Sequence, residues 1–276
     1  MIRIIRQYHK SLSTVSPMLA ANSAFELFKK VRKKKVRVQE QPFYAEAKES
    51  KIVFENEVVH SYEFGNPEND IVVLLHGWDS NIGSMYKFVS PLLAKEKFII
   101  GFNLPGHAFH KSNKTNIYEA KETFKKLMGT LPKGRKISII SHSFGSGVVG
   151  YGLSELNVEV DTLVFLTTPD KIRDIFLDYK KMIGLNDKAY QLLIDKATTI
   201  VGENLTDLSI ATKLKKGKFN HLHLFHNTRD KVLPYKNSTQ IADVIENSTL
   251  HTLTKMGHYK MLWNEELVKS VMELID

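Results

Sequence analysis

Ile137-Ser138-Ile139-Ile140-Ser141-His142-Ser143-Phe144-Gly145-Ser146-Gly147-Val148-Val149-Gly150 is the stretch that decides how this 276-residue chain folds. It begins as an apolar run of strand length and ends in mostly small residues suited to a closely packed helix. Between them lies a small-x-Ser-x-small turn, with Ser141 and Gly145 two positions either side of Ser143. A strand that passes directly into a helix must bend sharply there. Only small flanking side chains fit such a bend, and the serine hydroxyl is pushed out beyond the strand end.

The same strand-then-helix rhythm extends in both directions. Short apolar runs at Ile71–Leu75, Phe98–Phe102, Leu163–Leu166, His221–Phe225 and Thr249–Leu253 alternate with longer helical stretches. This alternation predicts an α/β fold, a mostly parallel central sheet flanked by helices. Before it, Lys51–Phe54 and Val58–Phe64 surround the polar Glu55-Asn56-Glu57 and predict a hairpin adding antiparallel strands at one edge. Between Pro169 and about Asn220 two further amphipathic segments interrupt the rhythm. One carries Ile172, Ile175, Phe176, Tyr179, Met182 and Ile183 and stops at Gly184; the other carries Ala189, Leu192, Leu193, Ala197 and Ile200. They predict a small helical cap at about 169–220, because one crossover rarely needs that much chain. A helix starts at Ser16-Pro17, with Leu19, Ala20, Ala24, Leu27, Phe28 and Val31 on one face. The organisation expected is thus an N-terminal helical and basic extension, 1–45, followed by one α/β domain, 46–276.

A serine hydroxyl is a weak nucleophile unless a base takes its proton and an acid orients the base. Ser143 therefore asks for a histidine and a carboxylate at the ends of later strands. His258 follows Gly257 just after the Thr249–Leu253 run and is the candidate base. Asp230, in His226-Asn227-Thr228-Arg229-Asp230 after the His221–Phe225 strand, is the candidate acid. Asp170, after the preceding strand, is its rival; its alternative role is to cap the helix that follows it. An oxyanion needs donors as well. The turn His76-Gly77-Trp78 and the residue after Ser143 offer the backbone N–H groups of Trp78 and Phe144.

These pieces together resemble the serine-nucleophile, carboxylesterase-like proteins of the α/β-hydrolase fold family, over roughly residues 50 to 276. The matching features are His76-Gly77-Trp78, Asn103-Leu104-Pro105-Gly106-His107, the elbow at Ser143, Asp230 with Pro234 four residues on, and Gly257-His258, in the family's order of serine, acid, histidine. Asn103 stands where Asp is commoner and Ser141 where Gly is usual. The resemblance implies a Ser143–His258–Asp230 triad that cleaves a small or medium ester without a cofactor or metal. Thioester, amide or C–C cleavage and acyl transfer remain alternatives on the same triad. A non-catalytic module that binds a ligand or a membrane is a further alternative.

Composition narrows the field. There are no cysteines, so disulfides, thiolate metal sites and cysteine nucleophiles are excluded. His221, His223 and His226 crowd one strand, but 226 points away from the other two, which disfavours a metal site. No phosphate loop or dinucleotide fingerprint follows a strand. The N-terminus lacks the apolar core of a secretory signal, and the chain reads as a soluble, cytoplasmic protein. The net charge is +9, much of it in Lys29–Arg37, which reads as the solvated end of the first helix. The alternative for this run is contact with an anionic membrane. Nucleic acid is not expected, since no aromatic platform accompanies it.

Overall fold

The computed structural model describes residues 2–32, 35–54 and 57–276. Lys33 and Lys34 of the basic run and Glu55-Asn56 of the hairpin turn lie outside the described residues. The rest forms one eight-stranded sheet: β1 (Lys48–Phe54), β2 (Glu57–Phe64), β3 (Ile71–Leu75), β4 (Phe98–Phe102), β5 (Ile137–His142), β6 (Glu159–Leu166), β7 (Lys218–Asn227) and β8 (Ser248–Leu253). The strand order is β1-β2-β4-β3-β5-β6-β7-β8. β2 runs antiparallel to both its neighbours, and every other adjacent pair is parallel.

β3 is flanked by β4 on one side and β5 on the other, with Val73 opposite Ile100 and Ile139. The chain therefore reverses direction across the sheet at β3. The crevice beyond the carboxyl ends of such strands is where an open α/β sheet has room for a ligand. β3 and β4 are buried at every position, which is why each reads as an unbroken apolar run. Their side chains alternate between two cores. Val73 and Leu75 pack with α5 (Ile117–Thr130) and α6 (Phe144–Leu153); Val72 and Leu74 pack with α4 (Val89–Ala94) and α11 (Glu265–Met272).

A third core lies outside the sheet. It joins α2 (Pro17–Phe28) to α7 (Ile172–Ile183) and α8 (Asp187–Val201), through Ala20, Ala24 and Phe25 against Phe176, Ile183 and Leu193. α1 (Ile2–Val15) lies on the same unit; Asn186 Nδ2 donates to the Ser13 carbonyl at 2.8 Å. α2 starts as the sequence indicates, with Pro17 in its first turn and the Ser16 hydroxyl accepting from Leu19 N–H. It stops earlier than expected. The basic run is not its solvated end, because the chain leaves the helix at Phe28 to pair with residues 113–115. Val31 N–H donates to Asn113 O at 2.8 Å, and Lys29 O accepts from Thr115 N–H at 3.0 Å. Among the described residues no helix is long and apolar enough to cross a membrane.

Candidate active site

β5 ends at His142 and α6 begins at Phe144, leaving Ser143 alone to make the turn, at φ 53° and ψ −116°. Positive φ is costly for a residue with a Cβ and persists only where the surroundings enforce it. Here they do: Ser143 N–H is held by the carbonyls of Leu166 and Thr167 at 3.2 and 3.1 Å. The small neighbours are required by space. A Cβ on Gly145 would sit 2.6 Å from the His76 carbonyl oxygen. Ser141 is fully buried, and its hydroxyl donates to Ser146 Oγ, which donates on to Thr167 O, both at 3.0 Å. A glycine there could not make the first of these bonds.

The loops after β7 and β8 deliver Asp230 and His258 to the same point. His258 Nε2 lies 3.0 Å from Ser143 Oγ, and His258 Nδ1 lies 2.7 Å from Asp230 Oδ2. Ser143 and His258 are buried, at 7% and 6% exposure. Asp230 Oδ1 accepts the backbone N–H groups of Val232 and Leu233 at 2.7 and 3.1 Å. Burial works against the ionised carboxylate, but the His258 hydrogen bond and these two N–H groups outweigh it. The carboxyl is held below its usual value.

Asp170 is engaged elsewhere. Its Oδ1 accepts from Ser209 Oγ at 2.6 Å and from Ala211 N–H at 3.0 Å. It thus secures the start of α9 (Ile210–Leu214) rather than capping α7, the helix that follows it in sequence.

The His76-Gly77-Trp78 turn closes the other side. A Cβ on Gly77 would meet His142 Nδ1 at 2.8 Å and Ser143 Cβ at 3.1 Å, so the turn lies directly against the elbow. The Trp78 and Phe144 rings meet edge-to-face with centroids 4.9 Å apart. Phe144 opens α6, so its N–H has no partner within the helix. His76 is structural: buried, its Nδ1–H donates to Gly77 O and its Nε2 accepts from Leu104 N–H. Burial, then the nearby His107, pushes its pKa well below the ordinary value, so it is neutral.

Two supporting residues complete the site. His142 Nε2–H donates to the His258 carbonyl at 2.9 Å, and burial pushes its pKa down to about 3. Thr167, at φ 57°, brings its hydroxyl to 3.5 Å from Asp230 Oδ2. The strand-end position of Thr167 was the one signal available for it. The three crowded histidines do not converge. His221 bonds Thr249, His223 meets His251, and His226 is buried against Ser238 and the Leu233 carbonyl.

The family described as alpha/beta hydrolase fold matches residues 70–196. A serine hydrolase-like protein of Danio rerio is 28% identical over 125 residues, covering 42% of this chain and 37% of that protein. A serine hydrolase-like protein of Homo sapiens is 28% identical over 110 residues, covering 38% and 53%. The matches thus span about half or less of these relatives. Among solved structures, the esterase Pf2001 of Pyrococcus furiosus superposes with a TM-score of 0.62 at 20% identity, covering 90% of this chain and 97% of that one. The sheet order, the serine elbow after β5 and these likenesses agree: the chain has the α/β-hydrolase fold, and its residues 70–196 match that family.

Proposed function

We propose that the protein is a serine hydrolase that cleaves a small or medium carboxylic ester through an acyl-enzyme on Ser143. The observation that carries this reading is the unbroken hydrogen-bond relay from Ser143 Oγ through His258 to Asp230, at 3.0 and 2.7 Å. Ser143 Oγ attacks the ester carbonyl while His258 Nε2 takes its proton. Asp230 keeps the His258 proton on Nδ1 and stabilises the imidazolium that forms. The backbone N–H groups of Trp78 and Phe144 receive the oxyanion. His258 then returns its proton to the leaving alcohol. Water, activated by the same imidazole, releases the acid and restores Ser143.

The relatives named serine hydrolase-like support the reaction class. The helical unit of α7 and α8 is proposed as the cap that shapes the acyl site. The test is labelling by a serine-directed fluorophosphonate. The wild type should label and Ser143→Ala should not, and an unlabelled, folded wild type overturns the reading. A series of chromogenic esters and thioesters of rising acyl length then identifies the substrate class.

A further inference from the structure

The fold covers only part of the apolar face of α1. Ile5 and Leu12 pack on the third core, beside the buried His9 and Ser13. Ile4, Tyr8 and Val15 stay uncovered, at 75%, 54% and 84% exposure. Spacings of four and seven put these three on a single stripe. Met18 and Leu19, both more than half exposed, follow directly at the start of α2. Six of the sixteen large hydrophobic side chains exposed among the described residues fall within the first nineteen positions, so the patch is local rather than ordinary surface scatter.

Charge is concentrated in the same segment. The first 37 residues hold ten lysines and arginines against one acid, Glu26, and so carry the whole net charge of +9. Residues 38–276 are balanced. Arg3 and Lys10, seven apart and both exposed, lie together on one side of the apolar stripe of α1.

We propose that α1 and the start of α2 form a docking face for an anionic lipid bilayer, with the apolar stripe in the headgroup region and the basic side chains on the lipid phosphates. An interfacial helix needs both features: exposed apolar area to bury, and flanking cations to hold it on an anionic surface. A second copy of this chain is a poor occupant, because it would set two strongly cationic segments against each other. Nucleic acid would satisfy the cations but leave the aliphatic stripe in water. The inference is independent of the proposed hydrolysis, and its test reads no activity.

The full chain is sedimented with vesicles of phosphatidylcholine alone, or with about 30% phosphatidylglycerol, at low and high salt. Binding should need the anionic lipid and weaken as salt screens the charges. Ile4→Ser with Val15→Ser should lower partitioning about tenfold or more. Arg3→Gln with Lys10→Gln should lower it roughly 25-fold, at about fivefold per cation. All four positions point outward, and thermal melts verify that both double variants stay folded. Failure to bind anionic vesicles at low salt overturns the proposal. So does binding that is indifferent to the two serines and is competed away by a short DNA duplex, since that is polycation behaviour. A concentration-dependent dimer that dissolves in the serine variant also overturns it, by assigning the stripe to a second copy.

Discussion

Replacing Gly77 by alanine tests how tightly the His76-Gly77-Trp78 turn is matched to the Ser143 elbow. Gly77 does not have a left-handed φ, so alanine is compatible with the backbone and the cost is steric. The new Cβ would lie 2.8 Å from His142 Nδ1, where ordinary contact begins at 3.4 Å, so something must yield by about 0.6 Å. His142 cannot swing freely, because its Nε2–H is held by the His258 carbonyl at 2.9 Å. The displacement therefore passes either to the proposed base or to the turn that presents Trp78 N–H. A shift on that scale costs on the order of 100-fold in turnover. KM should change little, because the bulk of the substrate is bound elsewhere. Overpacking should also lower stability by about 1–3 kcal/mol. Gly129→Ala is the control. It lies near the end of α5 with nothing within 4 Å of the added Cβ, and should stabilise the fold by roughly 0.5–1 kcal/mol. Steady-state hydrolysis of an activated ester, paired with thermal melts, reads both effects. A folded Gly77→Ala protein with kcat within about threefold of wild type would refute the reasoning.

Three further expectations concern single contacts. Asp230→Asn should cut turnover by about 10³–10⁴-fold, whereas Asp170→Asn should lower the melting temperature and leave turnover nearly intact; the reverse pattern would make Asp170 the acid. Arg32→Gln should slow turnover about three- to tenfold with KM unchanged. The reason is that the Arg32 backbone N–H and guanidinium hold Asp79 at 2.7, 3.0 and 2.8 Å, and Asp79, at φ 55°, directly follows Trp78; an unaltered kcat would sever that link. Stability should fall on acidification below about pH 6.5. Burial holds His142 at about 3 and His107 at about 4, so the unfolded chain binds more protons and stability is lost as pH falls from 6.5 towards those values. The slope is roughly 1.4 kcal/mol per pH unit for each histidine, readable as a falling urea midpoint, and a flat profile from pH 7 to 5 would contradict it. Asp230 acts in the same direction at lower pH, since its depressed pKa adds stability that disappears as the carboxylate is finally protonated.

The sheet was legible because burial on both faces leaves no polar positions to confuse a strand. Ile71–Leu75 and Phe98–Phe102 emerge with the bounds their sequence indicates. The convergence of Ser143, Asp230 and His258 was legible for another reason. In a parallel sheet every strand ends at the same edge, so a residue just after a strand has a predictable neighbourhood. What escaped depends on tertiary partners. α1 carries apolar residues at helical spacing, Ile5, Tyr8, Leu12 and Val15, but which of them are covered, Ile5 and Leu12, depends on the third core. Asp170 was read against its sequence neighbour α7, whereas its partners, Ser209 and Ala211, come from forty residues downstream. The basic run was assigned to a helix end because nothing local reveals that Lys29 and Val31 pair with Asn113 and Thr115.

The core shared by α2 and α8 has a consequence for biosynthesis. The residues that cover Ala20, Ala24 and Phe25 of α2 sit in α7 and α8, some 150 positions later in the chain. At ordinary elongation rates the wait is on the order of ten to thirty seconds. During it the side of α2 that α7 and α8 cover has no native partner within the nascent chain. That interval is a window for chaperones, and α2 is seated only after α7 and α8 have emerged.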